Sequence, residues 1–252
     1  MKTISIITPV LNSRNTIRNC IESVLSQKYS FIEHIIIDGG SSDGTMEIIN
    51  EYSDRIKLFV SGKDKGVYDA LNKGINLSSG EVIGILHSDD IFFDENTLSK
   101  VMESFNDSEV ESIYGNLVFL SARNTNKAVR YWKSGKYDCR KFYNGWMPPH
   151  PATFILKRVY DKFGLYKLEL GTSADYELLL RFMVLNKIKV NYINETLVYM
   201  LTGGMSNKSI TNRLKAHIMD RKAWKVNGLK PYFWTVFMKP ARKVIQYFKR
   251  CS

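Results

Sequence analysis

From Ile4 to Phe105, short apolar runs alternate with segments whose apolar residues recur every three to four positions. A run of four to eight apolar residues between turn signals reads as a buried strand, and the i, i+3, i+4 recurrence reads as one face of a helix. Ile4–Thr8, His34–Asp38, Ile56–Ser61 and Val82–Leu86 are the predicted strands. Between them lies a helix capped by Asn15 or Thr16, with Ile17, Cys20, Ile21, Val24 and Leu25 on its apolar face. Further helices are expected from Thr45 to about Tyr52, over Val67–Asn76 and from about Glu95 to Phe105. Strands alternating with helices need crossover connections, so the fold is α/β with a mostly parallel sheet flanked by helices.

The second half is less regular. Ser112–Leu120, Val129–Lys133 and Leu197–Leu201 read as strands, and Ala174–Asn186 as a helix with Leu178, Leu179, Phe182 and Leu185 on its apolar side. Pro148-Pro149-His150-Pro151 must be an extended loop, because proline fixes φ and disfavours helix before it. Helices are expected over 211–226 and 240–250, with Pro240 suited to the first turn of the second.

Charge is unevenly spread. Of the chain's 36 bases and 25 acids, eleven bases and one acid (Asp220) lie in 211–252, which leaves 25 and 24 in the preceding residues. The body is nearly neutral and the C-terminal segment basic, which suggests an anionic partner surface, membrane headgroups before nucleic acid. Cys20, Cys139 and Cys251 are odd in number and widely spaced, so neither a disulfide framework nor a zinc site is expected, and a reducing cytoplasm fits best. The short apolar start is broken by Ser5, Thr8 and Pro9 and reads as a strand rather than a leader. No run approaches the length of a membrane-spanning helix.

Ligands of open parallel sheets bind beyond the carboxyl ends of the strands. The polar residues and glycines gather there: Thr8-Pro9-Val10-Leu11-Asn12, Asp38-Gly39-Gly40-Ser41-Ser42-Asp43-Gly44-Thr45, Ser61-Gly62-Lys63-Asp64-Lys65-Gly66 and His87-Ser88-Asp89-Asp90. Asp38 follows three isoleucines and stands where a strand leaves the core, placed to accept hydrogen bonds from a base or ribose. Ser42 and Asp43 are expected to cap the following helix. Adjacent Asp89 and Asp90 repel one another, and a divalent cation with oxygen preference, Mg²⁺ or Mn²⁺, relieves that repulsion. The same pair could be a solvated turn or a helix cap. His150, in its stiff loop near Trp146, suits a structural role and a phosphate contact equally. Asp175 opens a predicted helix, where the helix dipole favours an acid. It is either that or a general base facing a cleft. Neither GxxxxGK[ST] nor GxGxxG occurs, which argues against a P-loop ATPase and a typical NAD enzyme.

Taken together, residues 1–205 resemble a family 2 inverting glycosyltransferase of the GT-A, Rossmann-like fold, of the type found in bacterial O-antigen and capsule clusters. The most specific match is Ile37 to Thr45, similar to the family's base-binding turn. Thr8 to Asn12 resembles its opening strand end, and Asp64 to Gly74 its nucleotide-cleft segment. Ser88-Asp89-Asp90 falls where the family has its metal motif, and His150 to Phe154 resembles a loop near the donor phosphates. Gly203-Gly204-Met205-Ser206 resembles a loop closing over the site. The resemblance implies Asp175 as catalytic base, Asp89 and Asp90 as metal ligands, and donor contacts from Thr8, Pro9, Val10, Asn12, Asp38, Gly39, Asp64, Lys65, Tyr68, Asn72, Ser88, Asp89 and His150. His87 stands where the family often has a further acid, and Ala174 where it often has Glu. The QxxRW signature of processive synthases is absent, so addition of a single sugar is implied.

On this reading residues 1–110 bind the nucleotide sugar, UDP by resemblance, and 111–210 the acceptor. Residues 211–252 form a basic amphipathic helical extension. Within it Val244, Ile245 and Phe248 share a face flanked by Arg242, Lys243, Lys249 and Arg250, with Tyr232, Phe233, Trp234 and Phe237 as aromatic anchors. That pattern suits either a membrane interface or packing on the domain. A membrane-side location, peripheral at the inner face of the cell membrane, makes a lipid-diphosphate-linked glycan the expected acceptor. The rivals are a sugar nucleotidyltransferase, for which only Arg14 speaks, and a nucleic-acid-binding protein using the basic segment. The neutral body with acids at its rim argues against the latter.

Overall fold

The structure, a computed structural model, describes residues 1–202 and 210–246, without the side chains of 210–216 and 243–245. β1 (Ile4–Val10), β2 (Ile32–Asp38), β3 (Leu58–Ser61) and β4 (Val82–Ile85) are parallel neighbours, connected by α1 (Ile17–Leu25), α2 (Thr45–Asn50) and α3 (Val67–Leu77). Ile35, Ile36 and Ile37 are all buried, as the strand of a sheet covered on both faces must be. Ile17, Cys20, Ile21 and Val24 are the buried face of α1. A Cβ at Gly74 would lie 2.4 Å from Ile7 Cγ2, so glycine lets α3 lie directly on β1.

Beyond β4 the sheet turns mixed. The described strands form one nine-stranded sheet in the order β3-β2-β1-β4-β8-β6-β9-β5, with β7 (Asn124–Trp132) on β6 (Ser112–Ser121). β8 (Thr153–Leu156) runs antiparallel to both β4 and β6 and joins the two halves of the chain in a single sheet. β9 (Val190–Leu201) lies parallel to β6, and β5 (Asp90–Phe92) pairs antiparallel with β9. β5, β8 and the first half of β9 were not predicted. Each is short or polar and takes its conformation from its sheet neighbours. Between them come α4 (Thr97–Ser104), α5 (Arg140–Tyr143) and α6 (Lys157–Phe163).

α7 (Ala174–Leu179) continues as a π turn over Leu180–Leu185. The wider turn shifts the helical phase, and Leu185, expected on the apolar side, is exposed, while Leu178, Leu179 and Phe182 are buried. α8 (Ile210–Val226) packs on α7: Trp224 Nε1 donates to Tyr176 Oη at 2.9 Å. α9 (Thr235–Ile245) begins earlier than expected and carries Pro240 inside it rather than in its first turn. The start is fixed at Thr235, whose hydroxyl donates to Tyr143 O and whose amide donates to Tyr232 O. Val244 and Ile245 have no described side chains, and Phe248, Lys249, Arg250 and the Gly203 to Ser206 loop lie outside the described residues. Among the described residues no helix is long and apolar enough to cross a membrane.

Candidate active site

Register brings the carboxyl ends of the parallel strands to one level. Val10 is paired with Asp38 and Asp38 with Ser61. Leu86 N donates to Ile7 O, so the chain after β4 passes the same rim. The loops there are stitched together. Asn12, in the left-handed region at φ 50°, accepts from Ser42 N through Oδ1 and donates its own amide to Ser41 Oγ. Ser13 Oγ and Ser88 Oγ are 2.7 Å apart, which ties the β1 loop to the Asp89–Asp90 segment.

Asp38 organises its turn from within. It is fully buried, and its carboxylate accepts from Gly40 N, Ser41 N, Ser41 Oγ and Ser61 Oγ. The expected contact from its oxygens to a base would have to open these bonds; the turn they hold faces the rim instead. Asp43 accepts from Thr45 N in a turn ahead of α2, but the N-cap position is Gly44 and neither Ser42 nor Asp43 makes the expected side-chain cap. Asp64 approaches the end of β2 closely: a Cβ on Gly39 would stand 2.6 Å from its Oδ2. Its Oδ1 accepts from Gly66 N. The half-buried Asp64 is thus a carboxylate beside the β2 turn, admitted there by the missing side chain of Gly39.

Several other expected donor contacts are occupied internally. Thr8, Pro9 and Val10 are buried in β1, and Thr8 Oγ1 bonds His34 Nε2 at 3.0 Å. Asn72 spends both ends of its amide on the backbone of Tyr166, donating to O and accepting from N at 2.9 Å each. It holds the 164–167 loop against α3. Lys65 is exposed. His150 Nε2 meets Tyr166 Oη at 2.6 Å, and its ring lies 6.2 Å from that of His87. Burial, with a smaller push from His87, lowers the His150 pKa to about 3. With Nε2 bonded to a phenol and burial disfavouring its charge, His150 stands in this wall as a neutral imidazole.

Asp90 is buried at the start of β5, and neither carboxylate oxygen has a partner. Burial first, and the neighbouring Asp89 second, push its carboxyl well above the ordinary range. An ionised carboxylate in such a place needs a proton or a cation. Two unpartnered oxygens beside a second, half-buried carboxylate therefore fit a divalent cation held by Asp89 and Asp90. Among the described residues no group of three or more His, Cys, Asp and Glu side chains converges to hold one.

Asp175, half-buried in the first turn of α7, is hydrogen-bonded to Tyr68, which lies in the first turn of α3 just after Gly66. Burial, and then the Asp175 charge, raise the Tyr68 hydroxyl well above the ordinary phenol range. Tyr68 therefore keeps its proton and donates to the carboxylate. Its ring lies 5.3 Å from that of Tyr166. Behind α7, the fully buried Glu177 pairs with Arg181 at 3.0 Å and Lys167 at 2.9 Å, and Arg181 donates to Phe163, Gly164 and Leu165 carbonyls. This network fastens the Tyr166 loop to the helix of Asp175. Sequence reasoning missed it, although the i, i+4 spacing of Glu177 and Arg181 was the available signal.

A parallel α/β sheet with acids at its carboxyl rim, continued by a mixed half that carries a further acid on a helix start, is an architecture of GT-A-like type. The chain belongs to glycosyl transferase family 2, whose family model matches residues 5–164. It is 28% identical over 208 residues to a PGL/p-HBAD biosynthesis glycosyltransferase of Mycobacterium tuberculosis, covering 81% of this chain and 78% of the relative. It is 32% identical over 186 residues to the uncharacterized glycosyltransferase Rv1514c of the same species, covering 71% and 68%. Among solved structures, S. aureus TarS 1-349 in complex with UDP-GlcNAc superposes with TM-score 0.73 at 16% identity, over 98% of this chain and 72% of that one. The mannosyltransferase PcManGT of Pyrobaculum calidifontis, in complex with GDP-Man and Mn²⁺, superposes with TM-score 0.64 at 13% identity, over 100% and 76%.

Proposed function

We propose that the chain transfers a single sugar, with inversion, from a UDP-sugar to a hydroxyl of a lipid-diphosphate-linked glycan in bacterial surface-polysaccharide (O-antigen) synthesis, at the inner face of the cell membrane. The observation that carries the reading is the Tyr68–Asp175 hydrogen bond. It sets a candidate base against the segment that opens with Asp64 at the β2 turn. The nucleoside lies on the Asp38 turn, with Asp64 and the Asn12 loop around it. Asp89 and Asp90 would hold a divalent cation, Mn²⁺ or Mg²⁺, whose positive charge would offset that of the diphosphate. Asp175 takes the proton of the acceptor hydroxyl, the acceptor oxygen bonds to the anomeric carbon, and the bond to the diphosphate oxygen breaks on the opposite face. Tyr68 holds the carboxylate of Asp175 in place for that transfer.

UDP and Mn²⁺ are supported by the bound groups of the TarS and PcManGT structures, and the lipid-linked acceptor by the basic C-terminal segment. Thermal shift across UDP-, GDP- and dTDP-sugars, with Mn²⁺ or with chelator, tests the donor. A rise with UDP-sugars that needs the metal is expected. A rise with GDP- or dTDP-sugars alone moves the assignment to that nucleotide, and no response to any of them removes the reading.

A further inference from the structure

The outward surface of α8 and α9 pairs an aromatic ledge with a row of bases. Along α8, Ile218, Arg221, Lys222 and Lys225 stand at i, i+3, i+4 and i+7 and are all exposed. The opposite side of that helix, Asp220, Ala223, Trp224 and Asn227, is buried against the domain. At the start of α9, Phe233 is 78% exposed and Phe237 62%, with Trp234 and Met238 beside them, while Thr235 and Val236 turn inward. Trp234 packs on Tyr232 at 4.7 Å and on Phe233 at 4.8 Å between ring centroids, so the ledge is stiffened by its own stacking. The guanidinium of Arg221 lies 5.9 Å from the Phe237 ring, which places the bases and the aromatics side by side.

A contiguous apolar patch of this kind marks an interaction surface. Rigid aromatic rings next to Lys and Arg match the boundary between headgroups and acyl chains of an anionic bilayer. Charge selects among occupants. With eleven bases to one acid in 211–252, a second copy docked through the same face would set like charges opposite each other. We infer that this face docks on an anionic lipid bilayer, with Phe233 and Phe237 entering the headgroup boundary and Arg221, Lys222 and Lys225 meeting lipid phosphates.

The inner side of the same helices holds α7. Lys239 bridges to Asp220 at 2.9 Å and stands 3.8 Å from the centre of the Tyr176 ring, one residue from Asp175. Docking through the outer face therefore sets the height of Asp175 above the lipid surface. This second consequence rests on Asp175 being the base; the docking itself does not.

Co-sedimentation of the full chain with phosphatidylcholine vesicles, with and without phosphatidylglycerol, tests the inference. Binding that requires phosphatidylglycerol is expected. Phe233→Ser with Phe237→Ser should lower the partition coefficient at least about tenfold. Arg221→Gln, Lys222→Gln and Lys225→Gln should each lower it by about fivefold. All changes are on exposed side chains, and melting temperature and donor binding should stay as in the parent. If the phenylalanine pair does not fold, the charge variants carry the test alone. Partition unchanged in both sets overturns the inference. So does binding of a single-stranded oligonucleotide through these residues without vesicle binding, or a dimer that the phenylalanine changes convert to monomer. Loss of donor binding in a chain that still binds vesicles counts against the proposed reaction and not against the docking face.

Discussion

Asp90→Asn separates a cation site from an ordinary buried acid. The amide has the shape of the carboxylic acid and cannot ionise. Because the folded-state carboxyl of Asp90 is raised, the folded protein holds a proton that the unfolded chain gives up. Without metal, stability is therefore lost as pH rises above the usual carboxylate range, the reverse of the common aspartate case. At about pH 3, below the ordinary aspartate value, the metal-free parent and variant should melt alike, since each leaves a neutral polar group unpartnered in the fold and Asp90 is protonated in the unfolded chain as well. At pH 9 in chelator the parent must either bury a charge next to Asp89 or keep a proton against the solution. There the variant should be more stable by roughly 1–3 kcal/mol, or about 2–12 °C for a chain of this length. Mn²⁺ at about a thousand times its dissociation constant should add about 4.1 kcal/mol to the parent and reverse the order, and the variant should gain little. The assay is a melting series over pH with Mn²⁺ or chelator. A variant that gains as much as the parent from Mn²⁺, or that melts lower in chelator at pH 9, refutes the reasoning.

Two further predictions concern the rim and the buried histidines. Gly39→Ala places a methyl 2.6 Å from Asp64 Oδ2; Asp64 must move, and donor affinity by calorimetry should fall about tenfold or more, on the order of 1.4 kcal/mol, with the melting temperature little changed. His34 is pushed by burial down to about 4 and His150 to about 3. Below the ordinary histidine value the unfolded chain takes up protons that the folded chain refuses, so stability should fall as pH drops from about 6.5 towards 4, by about 3 kcal/mol from His34 alone. Urea denaturation across that range measures it, and a flat profile would show these rings to be wetter than the structure has them.

What could be read from residues alone follows physical locality. β1 to β4 and α1 to α3 declare themselves because each carries its own periodicity and both faces of the sheet are apolar. β8 and the first half of β9 do not, because Thr153–Leu156 follows directly on the proline-rich 148–151 stretch and 190–196 alternates weakly with polar residues; pairing with β4 and β6 decides them. The acids at the rim were visible as strand-end residues. Their partners were not: nothing local says that Asn72 clamps Tyr166, 94 positions away, that Asp38 faces into its own turn, or that Asp90 starts a strand rather than a turn. The C-terminal helices show the same limit. Composition displayed their charge, but only packing separates the inner face, with Trp224 and Asp220, from the outer one, with Phe233 and Arg221.

The central claim is that Asp175 removes a proton from the acceptor on a site that binds its donor elsewhere. Asp175→Asn, assayed side by side for donor binding by calorimetry and for sugar transfer by product formation, tests it most directly. Donor affinity should be unchanged and transfer should fall about 10²–10⁴-fold. Transfer at the parent rate in a variant that binds donor normally would contradict the account.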